Sequence, residues 1–284
     1  MDRGPADGRP DLFLMAPSSP RPRVEDLLVY DLAVSSWIDR EPDGRGVHEI
    51  PFGPSSIGLD PSLSLSDTLS AVSRLAGFDE AGRGALAGPV AVGCVAFDLG
   101  SLDASLSIQT FARALAGIDD SKRVTARRRE DLFEQISVHA TWSVGCSSAG
   151  EIDRIGIVAA CQLAARRAYR NLGLSIDVAL FDRGLTLGKV TELRSPNTPP
   201  RPKEATATGA DGRSLHVAAA SIVAKVARDR FMKRLGALFP EYGFGRHKGY
   251  GTAAHREALR RFGRTRIHRR TFAYRPENAK SQFC

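Results

Sequence analysis

Short apolar runs that end in an acid alternate along this chain with long helical patterns, and that alternation constrains its fold most. Residues 74–79 (RLAGFD) read as a strand ending at Asp79, and DVALFD (Asp177 to Asp182) as another ending at Asp182. GPVAVGCVAF (Gly88 to Phe97) reads as a buried strand with β-branched residues, and ATWSVGCSS (Ala140 to Ser148) as a further strand. Between and after them lie ARRREDLFEQISVH (Ala126 to His139), a helix with Thr125 as N-cap, and EIDRIGIVAACQLAARRAYRNL (Glu151 to Leu172), one long helix. HVAAASIVAKVARDRFMKRLGALF (His216 to Phe239) is a second long helix, small and apolar early and cationic late. TAAHREALRRF (Thr252 to Phe262) is a basic helix capped by Thr252 and closed by Gly263. Strands first, then helices alternating with strands, imply an α/β domain: a mixed sheet covered by helices, with a basic helical C-terminal part.

The 284 residues are 42% hydrophobic and 25% charged, enough to bury a core. No apolar run reaches the ~18 residues of a membrane-spanning helix, and no secretory leader pattern opens the chain. Cys94, Cys146, Cys161 and Cys284 form no CxxC pair and read as reduced thiols of a cytoplasmic protein. Charge is uneven: the net is −5 over residues 1–75 and +13 over the remainder, with 15 basic against 3 acidic residues from Lys225 to Arg275. Such a basic region suggests a polyanionic partner, nucleic acid first. Taken alone, it also fits a solvated basic surface. Residues 1–24 are rich in Pro, Gly, Arg and Asp and read as disordered; VEDLLVYDLAVSSWI is a short amphipathic helix or strand; residues 51–70 read as a linker. The expected division is an N-terminal extension over 1–72, a catalytic domain over 73–240 and a basic substrate-binding region over 241–284.

Asp79, Asp182 and Asp211 are related positions, since strand ends and helix N-termini at one sheet edge commonly build the active site of an α/β fold. Glu80 stands beside the first. Carboxylates gathered there repel one another unless a cation sits among them, and hard oxygen ligands suit Mg²⁺ or Mn²⁺. Two such ions about 4 Å apart can activate a water and stabilise the leaving oxygen of a phosphodiester. Taken singly, each acid reads equally well as a cap, a turn former or a surface charge. Gly82-Arg83-Gly84 follows directly, and glycines there let backbone amides touch a sugar or phosphate. Asp120-Ser121-Lys122 puts a hydroxyl beside an ammonium ahead of a helix, which suits a phosphate contact and equally a turn. In GFGRHKGYGT (Gly243 to Thr252), Tyr250 can stack on a sugar or base while Lys248 and Arg246 hold a phosphate backbone; IHRRTF (Ile267 to Phe272) repeats that mix. His247 and His268 read as structural or phosphate-contacting, and His139 and His216 as structural.

Together these segments resemble the type 2 ribonucleases H, specifically bacterial ribonuclease HII. The resemblance runs from about Leu75 to Tyr274 through GFDEAGRGALAGPV, DDSKRVTARRREDLFEQI, EIDRIGIVAACQLAARRA, ALFD, AAASIVAKVARDR, YGFGRHKGYGTAAHREALRRFG and IHRRTF, and leaves residues 1–74 outside. It implies an RNase H-like sheet and action on a ribonucleotide embedded in duplex DNA and on RNA in RNA–DNA hybrids. The family's four metal-binding acids map to Asp79, Glu80, Asp182 and Asp211. A Mg²⁺- or Mn²⁺-bound water attacks the phosphate 5′ of the ribonucleotide in that family, leaving a 3′-hydroxyl and a 5′-phosphate. By the same resemblance, Gly82, Arg83 and Gly84 read the 2′-hydroxyl, Tyr250 reads the ribose–deoxyribose junction, and Ser121 and Lys122 hold phosphates. A role in ribonucleotide removal during DNA repair or replication follows, for a monomer that needs no membrane.

The family's usual Asp-Gly-Asn after the third strand is Asp182-Arg183-Gly184 here. The segment from Leu185 to Ala210 is long and Pro/Thr-rich, and the Lys that commonly precedes the fourth acid is absent. A non-catalytic nucleic-acid binder on the same fold is the competing reading, disfavoured because all four acids are present. A resolvase or the type 3 enzyme is disfavoured by Gly-Arg-Gly directly after Asp-Glu and by the Tyr250 loop. The −5 against +13 split suggests that the N-terminal extension shields the basic face, and KSQFC at the C-terminus is too short to read as a docking motif.

Overall fold

The structure is a computed structural model, described over residues 23–40, 47–50, 74–99, 104–188 and 200–273. In chain order the elements are α1 (Val24–Arg40), β1 (Val47–Glu49), β2 (Leu75–Ala81), β3 (Val90–Phe97), α2 (Ala104–Ala114), α3 (Ala126–His139), β4 (Ala140–Ser147), α4 (Ala149–Ile155), α5 (Ile157–Leu172), β5 (Val178–Asp182), β6 (Lys203–Ala207), α6 (Leu215–Leu238), the single turn α7 (Phe244–His247) and α8 (Ala253–Phe262). A 3₁₀ turn at Ala210–Gly212 precedes α6.

The expected mixed sheet forms, with six strands in the order β1-β6-β5-β2-β3-β4. β1, β6, β5 and β2 run parallel, while β2–β3 and β3–β4 are antiparallel. Every residue of β3 is buried, the signature of a central strand covered on both faces. On one face α6 brings Ala218, Ala219, Ile222 and Val223 onto Val95, Phe97 and the α3 residues Leu132 and Ile136. On the other, α5 packs its alanines 160, 164, 165 and 168 against Phe78, Val92 and Phe181. Small residues on both covering helices let the layers approach closely.

Local chemistry sets the boundaries. α3 spans the expected residues, with the Thr125 side chain accepting the Arg128 N–H. The helix expected over Glu151–Leu172 is in fact two. Ser148 and Glu151 form a reciprocal capping box that starts α4 two residues early, and Gly156, at φ 79°, ends α4 and opens α5. β6 falls inside the long Pro/Thr-rich stretch, for which the sequence suggested no strand; its Glu204 is buried, paired with Arg201 and holding the Leu187 N–H.

The N-terminal stretch expected to stand apart contributes a helix and an edge strand to these layers. Tyr30, Ala33, Val34 and Ile38 of α1 share a core with Leu75 and Val217, and β1 extends the sheet beside β6. The remaining expectations for residues 1–72, including the linker over 51–70, lie outside the described residues, as does KSQFC. The basic C-terminal region is stitched to the β2–β3 connection: Leu86 N–H donates to Gly249 O, Arg269 N–H to Leu86 O, and Ala87 bridges to His268.

Candidate active site

Parallel pairing of Phe78 with Phe181 leaves Asp79 and Asp182 as the next residues of neighbouring strands. The two acids therefore emerge at the same end of the sheet, as expected. Asp182 also pairs with Ala207 of β6, and the chain leaving β6 enters the 3₁₀ turn that carries Asp211. Asp182 Oδ1 accepts the Ala210 N–H at 3.0 Å, which ties that turn to the end of β5. Asp79 Oδ1 accepts the Glu80 N–H at 2.8 Å. All four acids thus reach one sheet edge.

Their electrostatics show the repulsion that such a gathering entails. Burial, then the Glu80 charge, holds the Asp79 carboxyl well above the usual carboxylate range, with Asp211 adding to it. Burial also raises Glu80, partly offset by Arg83. Asp211 is pushed up to about 6 by burial, then by Asp120 and Asp182. Two cations, the half-buried Arg83 and the exposed Lys122, answer these charges. Arg83 Nη1 lies 3.3 Å from Glu80 Oε1, and Lys122 Nζ lies 3.8 Å from Asp211 Oδ2 and 3.6 Å from Asp120 Oδ1. Burial pulls the Lys122 ammonium down, but the surrounding acids outweigh it and hold it above its ordinary value. Lys122 thereby supplies a cation near Asp211.

Among the described residues no three His, Cys, Asp or Glu side chains stand close enough together to hold a metal ion. The four acids do offer oxygen donors only, the chemistry that suits Mg²⁺ or Mn²⁺. Like charges gathered at a shared edge, answered only in part by Arg83 and Lys122, are the physical mark of a place that favours a cation.

The two glycines around Arg83 differ. Gly82 sits at φ +88°, and a Cβ there would fall 1.8 Å from Arg228 Nε, so the fold itself requires glycine. A Cβ at Gly84 would meet nothing within 4 Å. Gly84 is open surface beside the acids, which is what close approach of a ligand needs. Arg183 is exposed. Leu185 N–H closes the turn on Asp182 O at 3.2 Å, with Gly184 taking the positive φ. The altered Asp182-Arg183-Gly184 sequence therefore keeps a satisfied turn.

Ser121 departs from expectation. It is only 5% exposed, and its Oγ accepts the Ser221 hydroxyl at 2.8 Å while its N–H donates back to Ser221 Oγ at 3.2 Å. Ser221 also lies near Asp79 and pulls its carboxyl down, against the larger effect of burial. Ser121 is therefore held by Ser221 inside the fold and does not present its hydroxyl at the surface. Lys248 has left-handed φ and gives its ammonium to Gly245 O. The Tyr250 ring is half-buried with Lys225 Nζ 5.6 Å and the Arg228 guanidinium 5.3 Å from its centre.

Sequence reasoning missed the residues that hold this loop. Arg269 is 1% exposed and donates to Gly82 O and Arg83 O, both at 2.7 Å, and to Gly88 O at 3.1 Å. Arg228, equally buried, donates to Pro89 O and Ala87 O. Both lie in motifs that read as cationic surface. An Arg among alanines early in α6's cationic half, and the inner Arg of IHRRTF, were the available signals. His247 and His268 are structural: His268 Nε2–H donates to His255 Nε2, His255 Nδ1–H to Tyr250 O, and His247 Nε2–H to Tyr242 O.

The ribonuclease HII family model matches residues 76–275, the body that carries these features. Ribonuclease HII of Syntrophotalea carbinolica is 44% identical over 204 residues, 70% of this chain and 85% of that protein. Ribonuclease HII of Parasynechococcus marenigrum is 42% identical over 223 residues, 78% of this chain and 91% of that protein. Among solved structures, ribonuclease H2 from Pyrococcus horikoshii OT3 superposes with a TM-score of 0.53 at 25% identity, over 70% of this chain and 93% of that one. Bst-RNase HIII, solved in complex with Mn²⁺, shares the fold at 20% identity and a TM-score of 0.50, over 76% of this chain and 72% of that one. With the sheet, the acid edge and these likenesses in agreement, the chain belongs to the ribonuclease HII family, metal-dependent hydrolytic endoribonucleases that act on nucleic acid.

Proposed function

We propose that this enzyme cuts the phosphodiester on the 5′ side of a ribonucleotide embedded in duplex DNA, and RNA in RNA–DNA hybrids, leaving a 3′-hydroxyl and a 5′-phosphate. The observation that carries the proposal is the meeting of Asp79, Glu80, Asp182 and Asp211 at one sheet edge, beside the open Gly84. These four acids are the residues that would hold Mg²⁺ or Mn²⁺. When bound, the metal supplies an activated water and charge stabilisation at the leaving oxygen. Gly84 leaves room for a ribose to approach, and Arg83, anchored through its carbonyl by Arg269, presents its guanidinium at the rim. A 2′-hydroxyl is the group that separates RNA from DNA at such a site. Lys122 stands at the same edge as a phosphate contact, and Tyr250, half-buried with Lys225 and Arg228 near its ring, is the residue that would meet the following sugar.

The reading extends to ribonucleotide removal in DNA repair by a cytoplasmic monomer. Among the described residues no helix is long and apolar enough to cross a membrane, and Cys94, Cys146 and Cys161 are unpaired. Duplex DNA carrying one ribonucleotide, incubated with protein and Mg²⁺ or Mn²⁺, tests the proposal. One nick with a 3′-hydroxyl on the upstream fragment is expected, with all-DNA duplex left intact. A nick 3′ of the ribonucleotide, or cleavage of all-DNA duplex at a similar rate, would sink it.

A further inference from the structure

α1 lies wholly outside the matched family region, yet one of its side chains is built into the start of α6, the helix that follows the turn carrying Asp211. Asp31 and His216 are both fully buried. Asp31 Oδ2 accepts the Leu215 N–H at 3.0 Å, the His216 N–H at 3.3 Å and the His216 Nδ1–H at 2.8 Å. Leu215 and His216 are the first two residues of α6, whose N–H groups have no partner within the helix. Asp31 thus caps α6 from another element, with its negative charge at the positive end of the helix dipole. Ser214 caps the same end locally through the Val217 N–H, so the end of α6 is held twice.

The place of that helix end matters. A Cβ on Gly77 would fall 2.2 Å from the His216 carbonyl carbon and 2.4 Å from Val217 N, so α6 rests backbone to backbone on β2. Asp79 is two residues further along β2. On the other side Ser214 N–H donates to Ala210 O, joining α6 directly to the turn of Asp211. The Asp31 contact therefore fixes an element that touches both the strand of Asp79 and the turn of Asp211, in addition to the β5 ladder's own tie between them. An apolar residue would pack there without the cost of burying a carboxylate. What an apolar residue lacks is the power to orient.

We infer that Asp31 is a positioning residue for the metal-binding edge, setting the Asp211 turn against Asp79 through the N-terminus of α6, and that α1 belongs to the catalytic unit of this chain. The inference rests on the metal-dependent reading above. In the full chain, Mn²⁺ binding is measured by calorimetry, and single-ribonucleotide nicking well below the melting temperature, for wild type, Asp31→Ala, Asp31→Asn and Lys203→Met. Lys203 Nζ donates to Ile38 O and so tethers α1 without touching α6. Loss of a group that orients metal ligands commonly weakens metal binding about tenfold or more. Asp31→Ala is expected to bind Mn²⁺ at least about tenfold more weakly, with Asp31→Asn intermediate because its carbonyl still accepts. Lys203→Met is expected to melt lower with Mn²⁺ affinity unchanged. Should Asp31→Ala fail to fold, the Asp31→Asn comparison decides. Wild-type Mn²⁺ affinity and nicking in the folded Asp31 variants would overturn the inference and leave the contact merely stabilising. If wild type itself neither binds Mn²⁺ nor nicks, the metal reading falls first and takes the inference with it.

Discussion

Gly82 and Gly84 differ by two positions in sequence and by everything in their surroundings. Gly82→Ala must escape a left-handed φ and a collision with the Arg228 side chain, so it is expected to cost at least about 1–2 kcal/mol, read as a lower melting temperature. Gly84→Ala meets open space. It should melt with wild type while losing most of its preference for a ribonucleotide over DNA, measured by nicking the two duplexes side by side. Asp211 gives a second test. Its folded pKa of about 6 lies above the ordinary value of 3.8. The folded state therefore holds that proton more tightly, and stability from this group is lost as pH rises from about 3.8 through 6. Asp211→Asn is expected to raise the metal-free melting temperature by a few degrees at pH 7.5, a gain that vanishes below about pH 4. Added Mg²⁺ should stabilise wild type more than the variant. The acids were legible in sequence because each ends an apolar strand or precedes a helix. Ser221 and Arg269 were not, because a hydroxyl in an alanine-rich helix and an Arg in a basic run reveal their roles only once buried.

At the scale of elements, helical periods and caps were readable, and breaks within them were not. Thr125, Thr252 and Gly263 mark ends through local bonds that depend on neighbouring residues alone. Gly156 splits a continuous helical pattern because its backbone turns left-handed, which composition does not announce. β6 has no apolar alternation to betray it; its ladder to β5 and the Arg201–Glu204 pair hold it. The His255–His268 contact between α8 and the closing loop makes a prediction at this scale. Burial pushes both imidazoles down to about 4. Their folded pKa values fall below the ordinary 6.5, so their contribution is complete above pH 6.5 and is lost as pH falls toward 4. A His255→Gln, His268→Asn variant should melt lower at pH 7.5 yet show a shallower decline between pH 6.5 and 4, followed by circular dichroism. An unchanged slope would mean that these rings do not govern acid stability.

For the molecule as a whole, the charge split pointed to a polyanionic partner without excluding a solvated basic surface, and it held no information on what the N-terminal segment packs against. A Pro- and Ser-rich setting hides an α1 whose Tyr30, Val34 and Ile38 are core residues, since a single amphipathic stretch does not say what it will pack on. Removing residues 1–73 strips Tyr30, Ala33, Val34, Ile38 and Ile50 from that core cluster and leaves His216 without Asp31. The truncated protein is expected to melt far below the full chain in calorimetry, even though the matched family region is intact. The measurement that bears most directly on the central claim is nicking of a duplex with one ribonucleotide by wild type and by Asp79→Asn, titrated with Mn²⁺. The account predicts a single metal-dependent nick 5′ of the ribonucleotide, lost by at least about a hundredfold in the variant along with calorimetric Mn²⁺ binding. A variant that nicks as wild type does, or wild-type cleavage that persists in excess chelator, would contradict it.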